Sequence, residues 1–266
     1  MFKKKEEMDV MVGVARQVVE SGLFPKDNSS FEHFSEILID LDSILSVMLY
    51  LDLDVKDYVK VEYAEIIVST LGSFIGEYQS TSFIKIYYNM DEYKTFSTIN
   101  PKWCKKRQLR YGESEMVTFI HKNLIRRLKI LEKNINNFKL IKCEDSPILK
   151  INEDIKLIKK PYLIISRDPH YTCLFLYNDN IHIYDGKHIL NKENIRNVRS
   201  YPDIDYSLLP YYYLLCGMNR NEYSGVRGLG PKKTIKYLNE NLSDILSETD
   251  DKLLSVIQYK DIFFLK

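Results

Sequence analysis

Three glycines within six residues place the strongest constraint on how this chain can fold. They lie in the segment Gly225-Val-Arg-Gly-Leu-Gly-Pro231, between an apolar, aromatic run at Leu208–Cys216 and a run at Lys232–Leu238 whose apolar residues recur at helical spacing. Glycine permits a tight turn that other residues resist, and proline suits the first turn of a helix. The pattern therefore predicts two helices joined by a glycine hairpin.

This predicted hairpin combines three features that favour binding of a phosphate group. Side chains do not shield its backbone N–H groups, the dipole of the following helix favours negative charge, and two lysines add positive charge. The motif is a helix-hairpin-helix signature. Its candidate contacts with a nucleic-acid backbone are Gly225, Arg227, Gly228, Gly230, Lys232 and Lys233.

The glycine segment has two other interpretations. In a nucleotide-binding P-loop the lysine follows the last glycine directly and the loop follows a strand, whereas here Pro231 intervenes and a helix precedes. An ordinary glycine-rich connection between two helices is the second alternative. The order of glycine, proline and two lysines favours the phosphate-binding interpretation over it.

The overall composition is that of a soluble globular protein, with 45% hydrophobic and 28% charged residues. Because the net charge is only +1, any affinity for anions must come from local clustering. The four cysteines form no CxxC pair, which argues against a zinc site and a disulfide framework. No run approaches the roughly 18 apolar residues of a membrane span. We expect a cytoplasmic protein, in the host cytoplasm if the Ile-, Asn-, Lys- and Tyr-rich composition indicates a phage or virus.

Three apolar runs that read as strands finish in acidic residues. They are Glu36–Ser43, which contains Asp40, then Ile84–Asp91, and then Pro161–His170, which contains Asp168. Buried parallel strands have this pattern, and ligands gather at the carboxyl ends of such strands. Asp40 is therefore a candidate metal ligand, and the alternative is an aspartate that caps the helix after the strand.

Other segments predict the elements between these strands. Apolar spacing predicts helices at Val61–Tyr78, at Val117–Phe138 and at Ile148–Lys159, the last with Ser146 as N-cap and Pro147 in its first turn. The runs Cys173–Tyr177 and Ile181–Tyr184, separated by Asn-Asp-Asn, predict a β-hairpin.

The segment Lys102–Lys139 holds eleven lysines and arginines but three acids. A solvated helix face is the ordinary interpretation of a charge run. In a nearly neutral protein, however, a run of one sign creates a local field suited to a phosphate backbone, and Trp103 is placed either to stack on a base or to pack internally. The candidate DNA contacts here are Lys102, Lys105, Lys106, Arg107, Arg126 and Arg127.

From about Ile37 to Asn241, the order of these features resembles the 5′-nuclease superfamily of flap endonucleases and phage 5′-exonucleases. The resemblance implies an α/β, PIN-like fold in which helices flank a mostly parallel central sheet. It also implies a helical arch insertion and a C-terminal helix-hairpin-helix region. We expect an N-terminal helical extension at residues 1–35, a core at 36–205 with the basic arch at 100–140, and the helix-hairpin-helix region and tail at 206–266.

The resemblance also implies a metal-dependent active site. Enzymes of this superfamily hydrolyse phosphodiesters with two Mg²⁺ ions, and clustered carboxylates supply the hard oxygen ligands that these ions need. The positions that match the superfamily's ligands, and hence the candidate catalytic and metal-binding residues, are Asp40, Asp91, Glu144 and Asp168.

At the other ligand positions this sequence departs from the superfamily. Those positions are occupied by Ser146, Pro147, His170, Met218 and Asn221, and the acids that could compensate are Asp42, Glu92, Asp145 and Glu222. The second metal site is therefore expected to be lost. We expect a protein that binds branched or 5′-ended DNA, holds one Mg²⁺ or Mn²⁺ ion or none, and cleaves slowly or not at all.

Two further functions stay open from the sequence. An active Mg²⁺-dependent 5′ nuclease is one, with His170 as a general base or as a ligand to a softer metal. The other is a non-catalytic interaction subunit that binds proteins of a viral replication or transcription assembly, a role for which 20 tyrosines provide contact surface.

Overall fold

A computed structural model describes residues 31, 33–46, 57–89, 115–156, 159–198, 200–217 and 223–260. For residues 46, 57–64, 66 and 115–120 it describes the backbone alone. Several residues singled out in the sequence lie outside the described residues, namely Asp91, Glu92, Lys102, Trp103, Lys105, Lys106, Arg107, Met218, Asn221 and Glu222.

The centre of the described fold is a six-stranded sheet in the order β3-β2-β1-β4-β5-β6. Its strands are β1 (Glu36–Asp40), β2 (Phe83–Tyr88), β3 (Phe138–Lys142), β4 (Tyr162–Ile165), β5 (Ile181–Tyr184) and β6 (Ile189–Leu190). The first five are parallel to one another, and β6 pairs antiparallel with β5. The expected α/β fold with a mostly parallel sheet is therefore confirmed.

Helices cover the sheet. The α-helices are α1 (Leu41–Ser46), α2 (Asp57–Tyr78), α3 (Glu115–Asn134), α4 (Pro147–Ile155), α5 (Leu209–Cys216), α6 (Pro231–Glu240), α7 (Leu242–Leu246) and α8 (Asp251–Leu254). Short 3-10 helices occupy Pro169–Leu176, Ile195–Asn197, Tyr206–Leu208 and Ile257–Tyr259. Among the described helices, none combines the length and the apolar character needed to cross a bilayer.

Side chains alternate along each strand, so the sheet has two separate apolar faces. The α2–α3 face is formed with α2 and α3 and includes Ile37, Ile39, Leu71, Leu124 and Leu128. The α5–α6 face is formed with α4, the 3-10 helix Pro169–Leu176, α5 and α6. It includes Leu38, Ile151, Tyr171, Leu214 and Leu238. Because both faces are covered, the strands read as the continuous apolar runs seen in the sequence.

The prediction that the basic helix continues to Phe138 is wrong. Helix α3 ends at Asn134, and Phe138 is the first residue of β3. Pairing with β2 accounts for the change, since the N–H of Ile84 donates to the carbonyl of Asn137 at 2.8 Å and the ladder continues from there. A buried phenylalanine next to a helix satisfies helical and strand spacing equally well.

The predicted hairpin between Cys173–Tyr177 and Ile181–Tyr184 is also wrong. Cys173 lies in the 3-10 helix Pro169–Leu176, which starts where the side chain of Asp168 accepts a hydrogen bond from the N–H of His170. Strand β5 instead lies parallel to β4 and forms its hairpin with β6. The apolar character of the first run reflects burial of the residues from His170 to Phe175 in that helix rather than a strand.

The prediction of α4 is right in its position and too long at its end. The helix starts at Pro147, as expected, but stops at Ile155 rather than Lys159. Ser146 occupies the N-cap position without a side-chain hydrogen bond to the helix. The helices around the glycine segment lie where the sequence predicts them, as α5 and α6.

Candidate nucleic-acid interface and strand-edge carboxylates

Asp40 is the last residue of β1 and lies at the carboxyl edge of the sheet, 5% exposed. Asp40 lies two residues after Leu38, and side chains two residues apart on a strand point to the same face, so Asp40 belongs to the α5–α6 face. The N–H of Ser43 donates to Asp40 Oδ1 at 3.0 Å, and Ser166 Oγ donates to Oδ2 at 3.3 Å. The first bond is that of an N-cap, so Asp40 caps α1, as the alternative interpretation proposed.

Burial and neighbouring acids raise the pKa of Asp40. Burial is the largest cause, followed by the charge of Asp42, and together with the charge of Asp168 these raise the pKa of Asp40 from 3.8 to about 7, while the Ser43 N–H opposes the shift. Asp42 and Asp168 are therefore each close enough to repel a charge on Asp40.

Asp42 links the ends of β1 and β2. It is 6% exposed, and its two carboxylate oxygens accept the N–H of Asn89 at 3.1 and 3.3 Å. The side-chain amide of Asn89 in turn donates to the carbonyl of Asp145, beyond β3, at 3.0 Å. Sequence reasoning named Asp42 only as a substitute ligand and missed Asn89. The Asp-Leu-Asp spacing was the available signal for Asp42.

Asp168 follows β4, and both its carboxylate and its N–H form hydrogen bonds with residues next to it in the chain. Its Oδ1 accepts the N–H of His170 at 2.9 Å, and its own N–H donates to Ser166 Oγ at 3.2 Å. The ring of His170 is buried within the 3-10 helix, with 1% of the residue exposed. Ser166 therefore connects Asp40 to Asp168, a role that the sequence did not reveal.

Glu144 is exposed beyond the end of β3, and in the described part of the chain no hydrogen bond or ion pair joins it to Asp40 or Asp168. Among the described residues, no group of three or more His, Cys, Asp or Glu side chains could hold one metal ion. Oxygens of Asp40, Asp42 and Asp168 already accept hydrogen bonds from the chain itself. The described carboxylates alone therefore form no cluster large enough for the two-ion centre that the resemblance implies, and Asp91, Glu92 and Glu222 lie outside the described residues.

The glycine hairpin is anchored to the end of α5 through its backbone. The N–H of Val226 donates to the carbonyl of Leu215 at 2.8 Å. Gly225 has φ +59°, and a Cβ there would lie 2.4 Å from the Leu215 carbonyl oxygen and 2.5 Å from the nitrogen of Gly217. The close approach of Gly217 was not anticipated from the sequence. Only glycine fits where these two backbone segments meet.

Beyond this anchor the hairpin is open. A Cβ at Gly228 or Gly230 would meet no heavy atom within 4 Å. Leu229, between them, is 9% exposed and packs into the α5–α6 face, which fixes the loop from beneath. The N–H and the hydroxyl of Thr234 donate to the Gly230 carbonyl at 2.9 and 3.1 Å. The glycine backbone is therefore held in place and accessible.

Three cations surround this open backbone. Arg227, Lys232 and Lys233 are exposed, and none of them forms an ion pair with another described residue. Gly230 occupies the N-cap position of α6 without a side-chain cap, and Pro231 lies in the first turn. The first N–H groups of a helix have no acceptor within the helix, so they remain available to an anion.

The two arginines predicted to bind DNA on α3 differ in their surroundings. Arg126 is exposed. Arg127 forms an ion pair with Glu65 of α2. Arg127 therefore helps to hold α3 against α2.

No protein-family model matches the sequence, and no curated protein matches it. Solved structures do match. The D15 protein of T5, co-crystallised with metal ions, superposes with a TM-score of 0.60 at 15% identity over 86% of both chains. The T5 5′-exonuclease with bound zinc ions gives 0.60 at 14% identity, again over 86% of each chain.

A third match is a pseudo-enzyme–product complex of the bacteriophage T5 flap endonuclease with DNA and metal ions, with a TM-score of 0.56 at 16% identity over 86% of both chains. Identity this low carries information about the fold alone. These superpositions show that the chain has the fold of these 5′-nucleases.

Proposed function

We propose that this protein binds branched or 5′-ended DNA through the glycine hairpin and that its cleavage of phosphodiester bonds is impaired. The observation that carries the proposal is the open backbone at Gly228 and Gly230, surrounded by cations without ion-pair partners among the described residues. The DNA complex formed by a protein of the same fold supports it.

Binding at the hairpin follows from its geometry. A backbone phosphate placed before α6 would accept N–H groups from the hairpin and the first helical turn and would lie in the favourable end of the helix dipole. Lys232 and Lys233 add charge, and Arg227 adds a donor that can hold a phosphate with two hydrogen bonds. None of these contacts reads a base, so we expect binding to be independent of sequence and sensitive to salt.

Impaired cleavage follows from the state of the strand-edge carboxylates. Hydrolysis in this superfamily needs positive charge at both the attacking and the leaving oxygen, which a pair of divalent ions supplies. Asp40, Asp42 and Asp168 direct oxygens to donors of the chain, and exposed Glu144 does not join them. We therefore propose at most one Mg²⁺ or Mn²⁺ ion at this edge, and derive no cleavage step through it.

An active divalent-metal-dependent 5′ nuclease is the second candidate. One observation favours it, since Asp42 and Asp168 each repel a charge on Asp40 and a bound cation would relieve that repulsion. The metal ions in structures of the same fold support this candidate as well.

Binding is tested with a labelled 5′-flap DNA and the double variant Lys232→Ala/Lys233→Ala. At 0.1 M salt we expect a loss of at least about tenfold in affinity, and a log–log salt slope shallower by about 2, because roughly one counterion is released for each contact. The matched control is Lys159→Ala/Lys160→Ala, which removes two exposed lysines before β4. Equal affinities for the double variant and the control would contradict the proposal.

A further inference from the structure

The outer surface of α3 carries a line of four exposed cations. Lys122, Arg126, Lys129 and Lys133 follow one another at intervals of four, three and four residues. Residues at these intervals share one side of a helix, and eleven residues at 1.5 Å each extend over about 16 Å. We call this line the α3 stripe.

Acidic side chains near the α3 stripe point elsewhere. Glu65 is paired with Arg127, on the side of α3 that contacts α2. Glu132 accepts the N–H of Leu140 at 2.9 Å, which directs its carboxylate toward β3. No member of the stripe forms an ion pair with another described residue. In a chain of net charge +1, the stripe is therefore a concentrated positive surface.

The α3 stripe and the glycine hairpin lie on opposite sides of the sheet. Leu124 and Leu128 anchor α3 to the α2–α3 face, whereas Leu229 and Leu238 anchor the hairpin and α6 to the α5–α6 face. Because α3 precedes β3, which is parallel to β2, the helix runs back from the carboxyl edge toward the amino edge. The stripe therefore leads away from the edge at which Asp40 lies.

We infer that the α3 stripe binds the phosphate backbone of a second arm of a branched nucleic acid whose first arm is held at the glycine hairpin. The inference rests on the proposed function of the hairpin. Cations about 4.5 to 6 Å apart along the helix can follow a strand that carries one phosphate per 3.4 Å of axis. A straight duplex cannot contact both sides of the sheet, so a ligand that reaches both must branch or bend over the carboxyl edge.

The test compares three proteins on a series of DNAs. The variant Lys122→Gln/Lys129→Gln/Lys133→Gln removes charge while keeping residues of good helix propensity. Lys156→Gln/Lys159→Gln/Lys160→Gln removes three exposed lysines between α4 and β4 and is the matched control. The DNAs share one duplex and carry a 5′ arm of increasing length, in single-stranded and in paired form.

We expect the wild-type affinity to increase with arm length and the affinity of the stripe variant not to increase. On the longest arm the stripe variant should bind at least about tenfold more weakly than wild type at 0.1 M salt, because three phosphate contacts are lost. Affinity for the armless duplex should be unchanged in the stripe variant and in the control. The form of arm that shows the loss, single-stranded or paired, identifies the strand that the stripe holds.

Two results would overturn the inference. In one, the stripe variant equals the control on every arm, and in the other it loses as much affinity on the armless duplex as on the longest arm. Lys232→Ala/Lys233→Ala, measured on the same DNAs, separates this failure from failure of the proposed function. A loss of affinity on the armless duplex in that variant would keep the hairpin as a DNA site even if the stripe is not one.

Discussion

The strand-edge carboxylates and the glycine hairpin belong to the same side of the sheet, yet they direct their polar groups in opposite ways. At the edge, buried Asp40 and Asp42 accept hydrogen bonds from the chain itself. At the hairpin, Gly228 and Gly230 leave their backbone open among exposed cations. The first region directs its acceptors at donors of the chain itself, and the second leaves its donors open where we propose that a phosphate binds.

This difference suggests how one fold can separate binding from cleavage. A hairpin that uses backbone donors needs only the correct glycine positions to hold a phosphate, whereas a metal centre needs several carboxylates aimed at one point. Loss of a few acids removes the second property and leaves the first. The following substitutions test whether the two regions are as independent as this comparison requires.

Gly225→Ala should have the largest effect, a loss of more than about 4 kcal/mol in the free energy of unfolding, because its Cβ would overlap backbone that cannot move aside. The site has φ +59°, with the Leu215 carbonyl oxygen 2.4 Å from the added atom. Urea unfolding measures this loss. A change below about 1 kcal/mol would show that the hairpin is not anchored as described.

Asp40→Asn should stabilise the protein at neutral and alkaline pH and leave it unchanged near pH 4. The raised pKa of about 7, against 3.8 in the unfolded chain, means that the folded state retains the proton longer. The contribution of Asp40 to wild-type stability is therefore expected to decrease as the pH rises from about 4 to 7, at up to about 1.4 kcal/mol per pH unit.

The difference between Asp40→Asn and wild type should consequently reach about 2 to 4 kcal/mol at pH 8. Urea unfolding of both proteins at pH 4.5 and pH 8 measures it. The Oδ1 of asparagine can still accept the Ser43 N–H, and its amide N–H can donate to Ser166 Oγ. A loss of stability at pH 8 would therefore indicate that the Asp40 charge is neutralised by something other than its described surroundings.

Gly228→Ala should cost about 1 to 2 kcal/mol, since alanine at a positive φ is strained even without a clash. Its φ is +89°, and the site is open to 4 Å. The difference in unfolding free energy between Gly225→Ala and Gly228→Ala separates the cost of steric overlap from the cost of a positive φ. Equal losses in the two variants would contradict the open geometry of the hairpin tip, and the measurement is again the unfolding midpoint in urea.

Gly230→Ala should have the smallest effect on stability, below about 1 kcal/mol, because its φ of −85° suits any residue and only the poorer N-cap preference of alanine opposes it. An added methyl group would nevertheless stand where we propose that a phosphate approaches. We therefore expect weaker flap binding with an unfolding midpoint close to that of wild type. A variant with wild-type affinity would place the ligand elsewhere on the hairpin.

The sequence predicted correctly the elements that local residue patterns determine. Glycine spacing and Pro231 located the hairpin and α6, and acid-ended apolar runs located β1 and β4. The prediction failed where the secondary structure depends on a partner distant in sequence. Phe138, for example, belongs to a strand only because β2 lies beside it. The same reason hid Asn89, whose importance comes from Asp42, a residue 47 positions away.

The proposed separation of binding from cleavage is tested most directly by incubating a 5′-labelled flap DNA with excess protein and Mg²⁺ or Mn²⁺ and analysing the mixture on native and denaturing gels. Asp168→Asn is the matched control, because asparagine can keep the hydrogen bond to His170. We predict a shifted complex in the native gel and, in the denaturing gel, the same trace of product for wild type and control. Rapid cleavage by the wild type that Asp168→Asn abolishes would contradict it.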